Sequence, residues 1–284
     1  MSLGVLNNIS AIYAQNNLSS TQNNLSKTLQ QLSSGSRINS GADDAAGLAV
    51  ADGLAANSTA LAQSTRNASD ATGLLQTADG ALSQVTTLLN RAVTLATQSA
   101  NGTLSSAQVS SANQEYQNIL TQIGNIGSTT QFNGTAVFSD TARNFFVSDG
   151  TTAGSTTYSD TVGSLSAANV GKTAAGAGVD FTASGVATLS ATTAKDVLTA
   201  LSSAIGDVAY QRGTIGANIN QLASASSVAS SEQTNLTAAE DNIRATDYGK
   251  AASDMSKYQV LSQTGISALA QANSVQQEVT KLLQ

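Results

Sequence analysis

The sequence predicts a mainly α fold, an elongated antiparallel helical bundle or coiled coil formed by the N- and C-terminal halves, with a small β or irregular central insert. Three observations carry that expectation. The 284 residues include no proline, the residue that most strongly breaks helices. Two ladders of apolar residues repeat every seventh position, one in each half of the chain. Between about residues 137 and 194 the ladders stop, and Gly, Ser, Thr and Ala take over.

Residues 1–36 carry one charge, Lys27, and place Leu18, Leu25 and Leu32 seven apart with Leu29 between them. This spacing predicts a helix with a narrow apolar stripe. The first long ladder follows as Leu54, Leu61, Ala68, Leu75, Leu82, Leu89 and Ala96, with Ala71, Ala78, Val85 and Ala92 interleaved at the 3–4 spacing of a helical seam. Asn101-Gly102 is a stop and turn signal. Beyond it Val109, Tyr116 and Ile123 run beside Ala112, Ile119 and Ile126, with Ser105 and Gln108 spaced as a capping box.

In the middle segment short apolar clusters such as Phe145-Phe146-Val147 and Val179-Asp180-Phe181 predict short strands and turns, or a loosely ordered insert. The second ladder runs Leu201, Val208, Ile215, Leu222, Ala229, Leu236 and Ile243. Each ladder covers 42 residues from first to last position, or about 63 Å at ~1.5 Å per residue. Matched lengths from opposite halves predict antiparallel partners, with Leu61, Leu75, Leu82, Leu89, Val208, Ile215, Leu222 and Leu236 as the packing positions. At the C-terminal end Tyr258, Gly265, Ala272 and Val279 form one row and Leu261, Ala268, Val275 and Leu282 another. Ile266 and Leu269 widen that apolar face beyond what one partner helix would cover. These end helices are therefore expected to gain order from neighbouring molecules.

Composition narrows the chemistry. There is no Cys, His or Trp, so the usual zinc, haem and thiol ligands and the commonest general base are missing. No metal, cofactor or catalytic residue is assigned. The net charge of −6 without a basic cluster argues against nucleic acid. No apolar run reaches the ~18–20 residues of a membrane span, and the first ten residues lack the pattern of a Sec signal. Charged residues make up only 11%, against ~25% in average soluble proteins, so Asn, Gln, Ser and Thr must supply the polar surface. The pair Asp43-Asp44 has no partners nearby for metal or acid–base work and is read as part of a bend, with Arg37 and Arg244 making contacts between helices or subunits. The many Asn-x-Ser/Thr triplets follow from composition, and no N-glycosylation is assigned.

The segment from Leu32 to Ala49, LSSGSRINSGADDAAGLA, resembles the N-terminal signature of bacterial flagellins. Gln131-Phe132-Asn133-Gly134 resembles the turn after that family's third helix. Asn242-Ile243-Arg244-Ala245-Thr246-Asp247-Tyr248 and Leu269-Ala270-Gln271-Ala272-Asn273 resemble its C-terminal signature. The family often has Pro after the Ala-Asn pair and Arg where Gln221 stands; this chain reads Asn273-Ser274-Val275-Gln276.

The resemblance implies a filament subunit. Residues 1–45 and 246–284 would line the filament core as a coiled coil, 46–136 and 195–245 would form a helical rod, and 137–194 would be a small outer variable region. Assembly would use Leu18, Leu25, Leu29, Leu32, Leu261, Ala268, Val275, Val279 and Leu282. It also implies type III export to an extracellular flagellum, with an export chaperone and cap or junction proteins as partners. A Toll-like receptor contact at Arg91, Leu95 and Glu115 is a further implication, with Thr94 where an acidic residue is usual. The alternatives are a hook–filament junction protein, which shares the terminal helices, and a cytosolic coiled-coil scaffold. An enzyme has no motif in its favour: neither G-x-S-x-G nor a P-loop occurs.

Overall fold

The computed structural model describes residues 8–149, 157–172 and 178–282, with the side chains of 276 and 279–282 outside that description. Among the described residues the elements are α1 (Ile9–Ser34), α2 (Ala45–Ala100), α3 (Ser106–Thr129), β1 (Gln131–Phe132), β2 (Thr135–Ala136), β3 (Arg143–Phe146), β4 (Thr157–Asp160), α4 (Ala194–Arg244) and α5 (Tyr248–Leu282). The protein is mainly α, and among the described residues its short strands pair antiparallel as β1–β2 and β3–β4.

The chain forms two compact units, residues 1–56 with 235–284, and residues 57–234. The units change over inside α2, after residue 56, and inside α4, after residue 234.

Residues 57–234 hold the main core. Along α2, Leu61, Ala68, Leu75, Leu82, Leu89 and Ala96 are all buried, as are the interleaved Ala71, Ala78, Val85 and Ala92. Tyr116, Ile119, Leu120 and Ile123 of α3 and Val197, Leu201, Ala204, Val208, Ile215 and Leu222 of α4 meet them. Asp79 pairs with Arg212 at 2.7 Å, and Leu61 shares a groove with Ala225 and Ala229. Positions thus rise along α2 as they fall along α4, which makes the two antiparallel. The many alanines among the leucines let the helices approach closely along this seam.

Local signals set the ends of these helices. The Ser105 side chain accepts from the Gln108 amide while Gln108 Oε1 accepts from the Ser105 amide at 2.9 Å, a complete capping box. In Phe132-Asn133-Gly134-Thr135 both central residues have positive φ, 49° and 75°. That is the backbone an Asn-Gly pair favours in a two-residue hairpin.

The central segment packs closely onto the helices of this unit. Val137, Val162, Leu165, Val170, Phe181 and Leu189 all join the main core. Its carbonyls accept from helix side chains: Ser64 to Ser148 at 2.5 Å, Asn67 to Phe146 at 3.0 Å, Tyr116 to Val186 at 2.8 Å, and Gln117 to Ala187 at 2.5 Å. A Cβ on Gly127 would overlap the Leu165 carbonyl, so only glycine lets the insert approach α3 this closely.

Candidate assembly interface

Helices α1 and α5 pair antiparallel within the unit of residues 1–56 and 235–284. The Asn8 side chain caps α1 by accepting from the Ala11 amide at 3.0 Å, and its amide nitrogen donates to the Ala272 carbonyl at 2.9 Å. Leu18 lies against Gly265, where an added Cβ would stand 3.2 Å from Leu18 Cδ1. Gly35, at φ 71°, ends α1 beside Tyr248 at the start of α5.

The facing stripe on α1 includes Ala14, Leu18, Thr21, Leu25, Thr28 and Leu32, all buried or half-buried. On α5 it includes Tyr258, Ser262, Gly265, Leu269 and Ala272, all half-buried. The other row of α5 points outward, with Leu261 and Val275 each 43% exposed and Ala268 exposed. Leu29 of α1 is also exposed. The side chains of Val279 and Leu282 lie outside the described residues. Sequence reasoning did not single out Gly265 as an assembly residue, since glycine adds no hydrophobicity; its signal is its place in the row of Tyr258 and Ala272.

A compact clasp joins the neighbouring chain segments of this unit. Arg37 N–H donates to the Arg244 carbonyl at 2.6 Å, and Thr246 N–H donates to the Gly35 carbonyl at 3.0 Å. The Arg37 guanidinium reaches the Ile243 carbonyl at 2.7 Å, while Arg244 pairs with Glu240 at 3.2 Å and Asp52 at 3.4 Å. Asp44 caps α2 by accepting from the Gly47 amide at 2.8 Å. Asp43 accepts from the Asn39 and Ser40 amides, both at 3.1 Å, and pairs with Lys27 at 2.7 Å. The acidic pair therefore fastens the turn between α1 and α2.

The Lys27 hydrogen bond above all, then the Asn39 amide, hold the Asp43 carboxyl down to about 2. A carboxyl depressed on folding contributes stability that is fully present above its unfolded value, ~3.9, and is lost as pH falls through its folded value. Exchange of the Asn39 and Ser40 amides is therefore expected to accelerate between about pH 4 and pH 2 relative to Asp43→Asn, measured at each pH by hydrogen exchange. Equal rates in both proteins across that window would remove the assignment.

Of the remaining sequence-singled residues, Leu61, Leu75, Leu82, Leu89, Val208, Ile215 and Leu222 are buried, while Leu236 is half-buried. Arg91 Nε and Nη2 grip both oxygens of Glu115 at 2.7 and 3.1 Å across α2 and α3. Leu95, one turn along, is 3% exposed and packs inward. Among the described residues no helix is long and apolar enough to cross a membrane, and no three His, Cys, Asp or Glu side chains group as metal ligands.

Of the thirteen large hydrophobic side chains that stand exposed among the described residues, ten lie in this smaller unit. Its buried apolar residues are Ile38, Ala51 and Ala251. A surface so rich in apolar side chains over so small a core is the pattern of an interface awaiting its partner.

Two family models match the chain, the bacterial flagellin N-terminal helical region over residues 5–143 and the C-terminal helical region over residues 198–283. Among similar proteins, a flagellin of Halalkalibacterium halodurans is 34% identical over 277 residues, covering 97% of this chain and 98% of its own length. A flagellin of Bacillus subtilis is 31% identical over 301 residues with the same coverage of both chains. A crystal structure of Bacillus cereus flagellin aligns with 62% of this chain and 94% of its own, at 28% identity and a TM-score of 0.47.

Proposed function

Because this chain belongs to the bacterial flagellin family, we propose that its terminal helices drive polymerisation through the outward row of α5 and the exposed side chains of α1. The protein is a structural subunit of the flagellar filament. Within that role we assign residues 1–45 and 246–284 to the filament core, 46–136 and 195–245 to the surrounding rod, and 137–194 to the outer face. We further propose that the subunit is exported through the flagellar type III apparatus and has no enzymatic activity.

The observation that carries the assembly reading is the concentration of exposed apolar side chains on α1 and α5. Ile9, Ile12, Tyr13, Val260, Leu261, Ile266 and Val275 are all exposed. Burying one such side chain fully is worth about 1.5–3 kcal/mol, and a helical polymer can cover many of them in every subunit. A monomer leaves them in water.

The test is salt- or seed-induced assembly of the intact chain, imaged by negative-stain electron microscopy, beside a Leu261→Asp/Val275→Asp variant. Long tubes are expected from the intact chain and none from the variant. Helicity of the monomer should be the same in both, because the two side chains touch solvent. Polymerisation of the variant at the intact chain's rate would show that the outward row is not the interface. Short capped oligomers from the intact chain would point instead to a hook–filament junction protein.

A further inference from the structure

Asn-Gly occurs twice in the chain, and both times the next residue is threonine. Asn101-Gly102-Thr103 follows α2, and Asn133-Gly134-Thr135 turns the chain from β1 into β2. Asparagine before glycine readily loses its side-chain amide, because glycine has no Cβ to shield its own nitrogen. With the same neighbours on the C-terminal side, the two sites have the same intrinsic reactivity. Asn101, Gly102, Asn133 and Gly134 are all exposed, so access to water does not separate them either. Backbone geometry does.

The reaction is intramolecular. The glycine nitrogen bonds to the side-chain carbonyl carbon of the asparagine, and the bond from that carbon to Nδ2 breaks. Ammonia leaves with the proton given up by the glycine N–H. One water then opens the cyclic imide at either carbonyl, leaving aspartate or its β-linked isomer. Closure needs the glycine nitrogen to swing to the side of the asparagine that carries Cβ.

At Asn133 the hairpin blocks that swing. Its φ of 49° lies in the left-handed region, where ψ is about +47° and the next nitrogen points away from the residue's own Cβ. The pairs Gln131–Ala136 and Phe132–Thr135 hold the turn, and Val137 N–H donates to the Thr130 carbonyl at 3.0 Å beyond them. Val137 itself belongs to the main core. Reaction here requires the hairpin to open.

Asn101 stands outside the left-handed region. Its turn is held locally, by its carbonyl accepting from the Thr103 amide at 2.7 Å and the Leu104 amide at 3.4 Å. Among the described residues neither its side chain nor the Gly102 N–H makes a hydrogen bond. A Cβ on Gly102 would meet nothing within 4 Å, so this peptide has room to rotate.

We propose that Asn101 is a spontaneous deamidation site of the folded protein, and that the hairpin protects Asn133 from the same reaction. The product places a carboxylate at the C-terminal end of α2, whose last turn carries no basic residue. A negative charge there opposes the helix dipole, and the β-linked isomer adds a backbone carbon. Both loosen the last turn of α2 just ahead of the Ser105 capping box.

The test holds the full-length monomer for weeks in mildly alkaline buffer, beside a sample kept unfolded in guanidinium chloride. Digestion after Lys, Arg and Glu cuts at Glu115 and puts the two asparagines on separate peptides. Mass spectrometry counts amide and acid forms of each, and isoaspartyl methyltransferase labels the isomer. Loops open at far lower free energy than elements anchored in a core, so Asn101 is expected to react about tenfold faster than Asn133, or more, in the folded protein. In guanidinium the two rates should be about equal. Equal rates in the folded protein would overturn the proposal, as would a faster Asn133 or an Asn101 that reacts only when unfolded. Gly102→Ala should slow Asn101 about tenfold and leave Asn133 unchanged. An unchanged Asn101 in that variant would overturn attack by the residue 102 nitrogen.

Discussion

A chain lacking residues 1–36 and 250–284 is expected to fold and to remain monomeric where the intact chain forms filaments. The expectation rests on how unevenly the two units hold their apolar side chains. The main core draws on positions from Ala68 to Leu222 and includes no residue of the deleted segments. It should therefore close without them. The deletion removes Ile9, Ile12, Tyr13, Leu29, Val260, Leu261, Ile266 and Val275, eight of the thirteen exposed large hydrophobics. At about 1.5–3 kcal/mol for each side chain fully buried, no other part of the surface can replace that driving force. Sedimentation should give a monomer at every salt concentration that polymerises the intact protein, and a thermal melt should stay cooperative. Filaments from the truncated chain would move the assembly surface onto the rod. A truncated chain without a cooperative melt would show that the larger unit cannot stand without α1 and α5.

Much of this architecture is legible in the sequence because helices announce themselves by period. The ladder from Leu61 to Ala96 reads as one buried stripe, and it is one. Ser105 with Gln108, and Asn133 with Gly134, are local signals whose partners lie within four residues, so no tertiary knowledge is needed to place them. The assembly helix is harder. Hydrophobicity ranks Leu261 and Val275 above Gly265 and Ala272, yet Gly265 and Ala272 share the stripe that faces α1 while Leu261 and Val275 stand exposed. Small residues let two helices approach closely, and that preference is invisible to a scale that counts apolar atoms. Leu95 illustrates the same gap, since no period tells an exposed leucine beside Arg91 from the buried one that is found. The central segment lacks alternation because helix side chains, rather than a strand ladder, satisfy carbonyls such as those of Ser148, Val186 and Ala187. Nor does composition mark where the two units meet, because α2 runs unbroken through residue 56 and α4 through residue 235.

Leu222→Ala is expected to destabilise the rod strongly, and Leu236→Ala to do so little, although both leucines stand in one ladder on one helix. Leu222 has no exposed surface and lies in the main core with Ile215. Leu236 is half-buried, two ladder steps further along α4 and in the smaller unit. Truncating a fully buried leucine removes its transfer free energy and leaves a cavity, together about 2–5 kcal/mol. The seam around Leu222 can relax little, because its other members are already small or tightly packed. For a unit of this size each kcal/mol lowers Tm by about 2–4 °C, so a fall of about 4–20 °C is expected. At Leu236 part of the side chain already meets water and the vacated space opens to solvent, which limits the loss to ~1 kcal/mol. Differential scanning calorimetry of the monomer separates the two. Equal shifts would mean that position in the seven-residue repeat, rather than burial within the unit, sets the energy of each rung.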